Sequence, residues 1–148
     1  MLTGILLNLY ERDLSKLEEE IAAYGTNEGL WAKPQGINNS GGNLCLHLCG
    51  NLQYFVGAVL GNTGYVRQRE REFSDSGLAK EELLVLISTT RRTVLSVIAG
   101  FSAEALEKTY PEVVFSSTMS TGYFLLRLLA HLNYHLGQIN YHRRLTQS

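Results

Sequence analysis

Apolar residues recur at three- and four-residue steps in four segments of this chain, the period of an amphipathic helix. The first predicted helix runs from Leu2 to Tyr24, with Leu2, Ile5, Leu6, Leu9, Leu14, Leu17 and Ile21 on its apolar side and Gly25 as its stop. The next stretch, "GTNEGLWAKPQGINNSGG", is a loop by its glycines and Pro34, and Trp31 and Ile37 are placed to pin it onto the rest. A second helix starts after Asn39 or Ser40, either of which can cap free N–H groups, and ends near Leu60 with Gly61 closing it. The third covers Ala79 to Ala99, with Leu83, Leu86, Ile87, Thr90, Val94, Leu95 and Ile98 on one side and Gly100 as its stop. A linker with a short helix at "SAEALEK" leads to the fourth, from near Ser120 to about Leu145. The one strand-like run is "PEVVFSS", and it is short.

Four amphipathic helices in one small chain predict an all-α fold, a four-helix bundle occupying residues 1–148 as a single domain. The first loop and the linker "GNTGYVRQREREFSDSG" are both longer than a tight bundle turn, which admits crossover connections as well as simple up-and-down order.

Composition narrows the function. The chain of 148 residues is 45% hydrophobic and 18% charged, ordinary for a globular protein, and long enough to bury a core. Its formal charge of −1 provides no field that would draw in nucleic acid. Glu11, Arg12 and Asp13 interrupt the apolar start too early for a signal peptide, and "FLLRLLAHL" carries Arg127 and His131. No stretch is expected to supply the roughly 20 uncharged apolar residues of a spanning helix. With two cysteines and no targeting segment, the expectation is a soluble cytoplasmic protein that engages no membrane.

Histidine placement carries the chemistry. Of four histidines, His131, His135 and His142 fall within "LLAHLNYHLGQINYHRRL", and His47 lies in "NLCLHLCGNL". At about 100° per residue, His131, His135, Gln138 and His142 share a stripe roughly 60° wide on the fourth helix. Leu128, Leu132 and Ile139 lie directly alongside, so the stripe borders the core. On the second helix His47 sits at the edge of an apolar face, with Asn51 about 40° away. Imidazoles at i and i+4 project side by side, and a third from a facing helix would leave coordination positions open, as in catalytic zinc-type sites. The same pattern also suits partly buried, hydrogen-bonded helix histidines that bind nothing.

Other residues have two readings each. Cys45 and Cys49 fall about 160° and 200° from His47, so they suit packing better than ligation. Arg127, one turn before His131, can attract an anionic substrate or can snorkel to solvent. Asn51 can line a pocket or orient a ligand. Tyr134 and Tyr141 suit packing more than a pocket, and the run Arg67, Arg69, Glu70, Arg71, Glu72 suits a solvated face with weak ion pairs.

Two stretches resemble the DinB/YfiT-like superfamily of bacterial helical metalloproteins. "LLAHLNYHLGQINYHRRL" is similar to the family's final-helix signature, two histidines four apart followed by Gly-Gln and a basic, aromatic-rich end. "NNSGGNLCLHLCGNLQYFVG" resembles its second helix, which contributes one histidine, and "RQREREF" resembles an Arg/Glu linker of one branch. The resemblance implies a metal triad of His47, His131 and His135, with Gln138 facing or bonding near the site and Gly137 tolerated because a neighbour packs closely. His142 lies ~10 Å beyond His135 along the axis, too far for the same ion. A position behind the ligands, at a pocket rim or as a helix-end cation is then expected for it. The family implies zinc or nickel as cofactor, a small-molecule substrate such as a low-molecular-weight thiol, thiol-transferase or related metal-activated thiol or water chemistry, and a homodimer. No catalytic side chain is assigned. The alternatives are a non-catalytic, stress-associated metal-binding bundle and a bundle without metal.

Overall fold

In the computed structural model, which describes residues 1–147, the helices follow the periodicity closely. They are α1 (Leu2–Ala22), a short α2 (Asn27–Trp31), α3 (Gly41–Leu52), a π-helical segment (Gln53–Ala58) leading without a break into α4 (Val59–Gly61), a short α5 (Arg69–Ser74), α6 (Lys80–Ala99), a short α7 (Ala103–Glu107) and α8 (Thr121–Thr146). Ser40 and Ser120 cap α3 and α8: each hydroxyl accepts the N–H three residues on, at 3.1 Å. Glu82 caps α6 by accepting the Ala79 N–H at 2.8 Å. Asn62 ends α4 in the left-handed conformation, one residue beyond the expected stop at Gly61. "PEVVFSS" forms no strand; among the described residues it contributes one isolated bridge, Val114 with Ser117.

Specific side-chain bonds fix the helix directions. α8 runs parallel to α1, because Asn133 donates to Asp13 at 2.6 Å, Arg143 to Glu20 at 3.0 Å, and Gln147 to the Ala23 carbonyl at 2.7 Å. α6 runs antiparallel to α1: Lys80 reaches the Ala22 and Tyr24 carbonyls, while Thr3 donates to the Phe101 carbonyl. α3 opposes α8, with His47 beside His131 and Phe55 against Phe124, and it parallels α6, with Gln53 near Thr90 and Gly61 against Val97. The order is therefore up-down-down-up, with α1 and α3 each packed on both α6 and α8.

That topology forces a long return. α3 and α6 are parallel neighbours, so residues 62–79 must travel back along the bundle, and they lay α5 on the outer side of α3. Asn43 fastens this crossover by donating its side-chain amide to the carbonyls of Glu72 at 3.0 Å and Asp75 at 2.8 Å. The bland reading of the Arg/Glu run is thereby corrected: Glu72 is buried against α3 rather than solvated.

Four smaller expectations change as well. The helix Gly41–Gly61 carries no Asp, Glu, Lys or Arg and is long and apolar enough to cross a membrane by length and composition, contrary to the expectation that no stretch would be. It is the core helix of the bundle, and its buried Asn43, His47 and Gln53 bond to side chains or carbonyls of the crossover, α8 and α6. Ile37 is exposed and lies outside the buried core, whereas Trp31 lies on Gly42 and donates its indole N–H to the Leu78 carbonyl at 2.9 Å. A Cβ at Gly137 would meet nothing within 4 Å, so close packing is not why that residue is glycine. Tyr134 and Tyr141 are exposed and do not pack in the core.

Candidate metal centre

His47 is held from behind. Its Nδ1 lies 3.0 Å from Glu72 Oε1, and Arg67 forks the same carboxylate with Nε on Oε2 and Nη2 on Oε1, both at 2.9 Å. Burial alone would raise the Glu72 pKa, but the His47 and Arg67 hydrogen bonds outweigh it and hold the carboxyl below its usual range. An ionised carboxylate only accepts, so His47 Nδ1 carries a proton, which in the neutral ring puts the lone pair on Nε2. Gly50, one turn along α3, leaves room for this: a Cβ there would stand 2.7 Å from Glu72 Cδ. Phe73, the next residue of α5, packs against the His47 ring at 4.8 Å.

His131 and His135 come from α8, one turn apart, and His135 is set in the same manner. Its Nδ1 donates to the Gln138 amide oxygen at 2.6 Å, which again frees Nε2. The three Nε2 atoms converge, with His131 Nε2 3.1 Å from both His47 Nε2 and His135 Nε2. The ligating atoms of all three rings lie within 4.8 Å of one another, and the rings stand nearly perpendicular in pairs. Two imidazoles bound to one tetrahedral ion at about 2.0–2.1 Å would have nitrogens about 3.3 Å apart, close to the spacing seen here. The donor set fits a divalent metal, and the sequence-predicted triad is brought together in space.

The protonation states agree with that role. Burial lowers the His131 pKa to about 4, reinforced by the nearby His135, His47 and Arg67. Burial also lowers His135, and its bond to Gln138 only partly opposes this. Both rings are therefore neutral near pH 7, as metal ligands must be. His131 Nδ1 is buried with no partner among the described residues, so no neighbour sets its tautomer.

His142 stands outside this group. It is buried, its Nδ1 is 2.6 Å from the Tyr24 hydroxyl, and its Nε2 is 2.8 Å from the Ala32 carbonyl. A carbonyl only accepts, so Nε2 donates and both ring nitrogens are engaged. The residue ties α8 to the chain beyond α1 and α2, away from the three converging histidines. Cys45 and Cys49 are buried on the far side of α3 as expected; the bond to Cys49 and burial push the Cys45 thiol well up.

Asn51 and Arg127 both line a cavity of about 550 Å³ that opens on His47 and His131. Phe55, Phe115 and Phe124 supply its apolar wall. The π-helical segment holds Phe55 there, one of the irregular helical turns that gather at functional sites. A larger cavity, about 610 Å³, is lined by Gln138 and His142 but by none of the three converging histidines. Sequence reasoning missed Glu72, Arg67, Asn43 and Gly50. A glycine in mid-helix one turn from a histidine on the same face was the local sign that something must fit against α3.

Comparison with known proteins agrees with the architecture. A crystal structure of a DinB-like protein from Bacillus cereus ATCC 10987 superposes with a TM-score of 0.76, covering 95% of this chain and 89% of that one at 13% identity, a likeness of fold. No curated protein matches the chain significantly. A family model described as the DinB superfamily matches residues 9–139, well over half of the sequence, and the chain belongs to that superfamily.

Proposed function

We propose that the protein is a divalent-metal-dependent enzyme in which His47, His131 and His135 hold zinc or nickel and a low-molecular-weight thiol is a substrate. The observation that carries this reading is the convergence of three imidazole Nε2 atoms, two of them oriented by Glu72 and Gln138, beside a cavity of substrate size. A structural zinc site closes on four protein ligands; three neutral nitrogens leave room for an exogenous one. Bound there, a divalent ion supplies Lewis acidity that lowers the pKa of a thiol or water and favours its thiolate or hydroxide form.

The protein's own part is orientation and exclusion. Glu72 and Gln138 keep two rings in the tautomer that faces the site, and Arg67 holds Glu72 charged. The aromatic wall keeps water from one side of the cavity. No side chain is assigned as general base. The test uses untagged protein freed of metal by chelation. Stoichiometric zinc or nickel binding with a raised unfolding temperature is expected, followed by metal-dependent joining of a thiol to an electrophile. Metal binding without turnover on any thiol–electrophile pair would favour the non-catalytic binder, and absence of both would refute a metal role.

A further inference from the structure

Arginine usage around the cavity is uneven. Arg67 is committed to Glu72, but Arg69 and Arg127 have no carboxylate partner among the described residues. Both line the cavity, and no Asp or Glu lines it among the described residues. Each guanidinium is laid on an aromatic face: Arg69 on Phe73, 5.3 Å from the ring centre, and Arg127 on Phe115, 4.2 Å from it. Stacking fixes the plane of a guanidinium while leaving its edge N–H groups free, the arrangement that receives a carboxylate through two parallel bonds.

Two further observations point at the same cavity. Asn51 is more than nine-tenths buried on its wall, yet its Oδ1 has no hydrogen-bond partner among the described residues. Phe115 holds φ 57°, a left-handed conformation unfavourable for a bulky residue, and still presents an exposed ring at the cavity rim. Strain kept in order to expose an aromatic side chain next to a basic pocket marks a binding surface more readily than a packing solution.

We infer that this cavity binds a small organic carboxylate with an apolar body, the carboxylate on Arg69 and Arg127 and the body against Phe55, Phe115 and Phe124. Asn51 then meets a polar group of the ligand near His47. The inference rests on the proposed function for one point only, that the far end of the ligand faces the three histidines. The arginine clamp itself needs no metal. Because Arg69 is the first residue of α5 on the crossover and Arg127 lies on α8, the anion would bridge the connection to the bundle.

The test is calorimetric titration of the metal-free full chain with 3-phenylpropionate and with its uncharged amide, 3-phenylpropanamide. The acid is expected to bind and to weaken with added salt, and the amide to bind about tenfold more weakly or not at all. Arg69→Gln and Arg127→Gln should each weaken the acid about five- to tenfold without lowering the unfolding temperature, because both side chains are exposed. His135→Ala, which impairs zinc binding if the triad is the metal site, should leave the affinity for the acid unchanged. Equal binding of acid and amide, full affinity in both arginine variants, or no saturable binding of the acid would overturn the inference while leaving the triad standing. Binding that appears only with zinc and vanishes in His135→Ala would overturn it too, by making the carboxylate a metal ligand.

Discussion

His135 and His142 lie almost two turns apart on one stripe of α8, and each directs Nδ1 to a neighbouring side chain, Gln138 or Tyr24. They part at the other nitrogen. His142 Nε2 meets the Ala32 carbonyl, where the chain leaving α2 closes over the helix end. His135 Nε2 meets His131, with His47 opposite on α3. The helix aims both rings inward. Whether a ring becomes a strut or a ligand is decided by what lies across from it: a backbone carbonyl accepts its N–H, whereas other imidazoles leave its lone pair to be shared.

The sharpest way to break that comparison is to delete each ring. His47→Ala or His135→Ala should lower zinc affinity about 100-fold or more, and His135→Ala, at a partly exposed ring, should leave the metal-free unfolding temperature nearly unchanged. His142→Ala should do the reverse, keeping zinc but costing about 2–4 kcal/mol of stability, since it opens a cavity and removes the bonds to the Tyr24 hydroxyl and the Ala32 carbonyl. Calorimetric zinc titration and denaturant unfolding of each variant separate the two roles. Equal loss of zinc in all of them would erase the distinction.

Removing the support behind a ligand should have a smaller effect. Glu72→Gln keeps the shape but no longer holds the Nδ1 proton of His47 as firmly, and zinc affinity should fall about 10- to 100-fold. Gly50→Ala should act in the same direction without touching a ligand, because its methyl group displaces the Glu72 carboxylate. A Gly50→Ala variant with undiminished zinc binding would show that Glu72 does not orient His47.

Acid titration probes the same side of the comparison. The His131 pKa is lowered from 6.5 to about 4, so between those values the unfolded chain binds more protons at this site than the folded one. The metal-free protein should therefore lose stability as pH falls from about 6.5 towards 4, and His131→Gln should flatten that slope in thermal unfolding. Glu72, held below its usual value, contributes stability above about pH 4.5 that is lost below it. Smallest of all, Gly137→Ala should stabilise the protein by about 0.8–1 kcal/mol, because the position is exposed, in mid-helix and free of neighbours. Zinc binding should be untouched by it.

Local periodicity made much of this legible. The stripes of α1, α6 and α8, the serine caps and the adjacency of His131 and His135 all follow from relationships within a few residues. The core position of Tyr10 and the burial of Tyr24 beyond α1 were less accessible, since phenols suit both surface and interior and only their partners, the Leu125 carbonyl and His142, settle the matter. The Arg/Glu segment was misjudged for a related reason. A glutamate between arginines has the same local pattern whether water or His47 faces it, and only the Gly50 notch and the Asn43 anchor on another helix distinguish the two.

By itself the sequence determined which residues form helices and which histidines can stand side by side, because a period of 3.6 residues is a local property of the backbone. The tertiary structure decided the up-down-down-up order, the return of residues 62–79 along α3, and with it the Glu72–Arg67 support of His47. Those depend on which helices bury their apolar faces against one another, a long-range balance that no short window of residues contains.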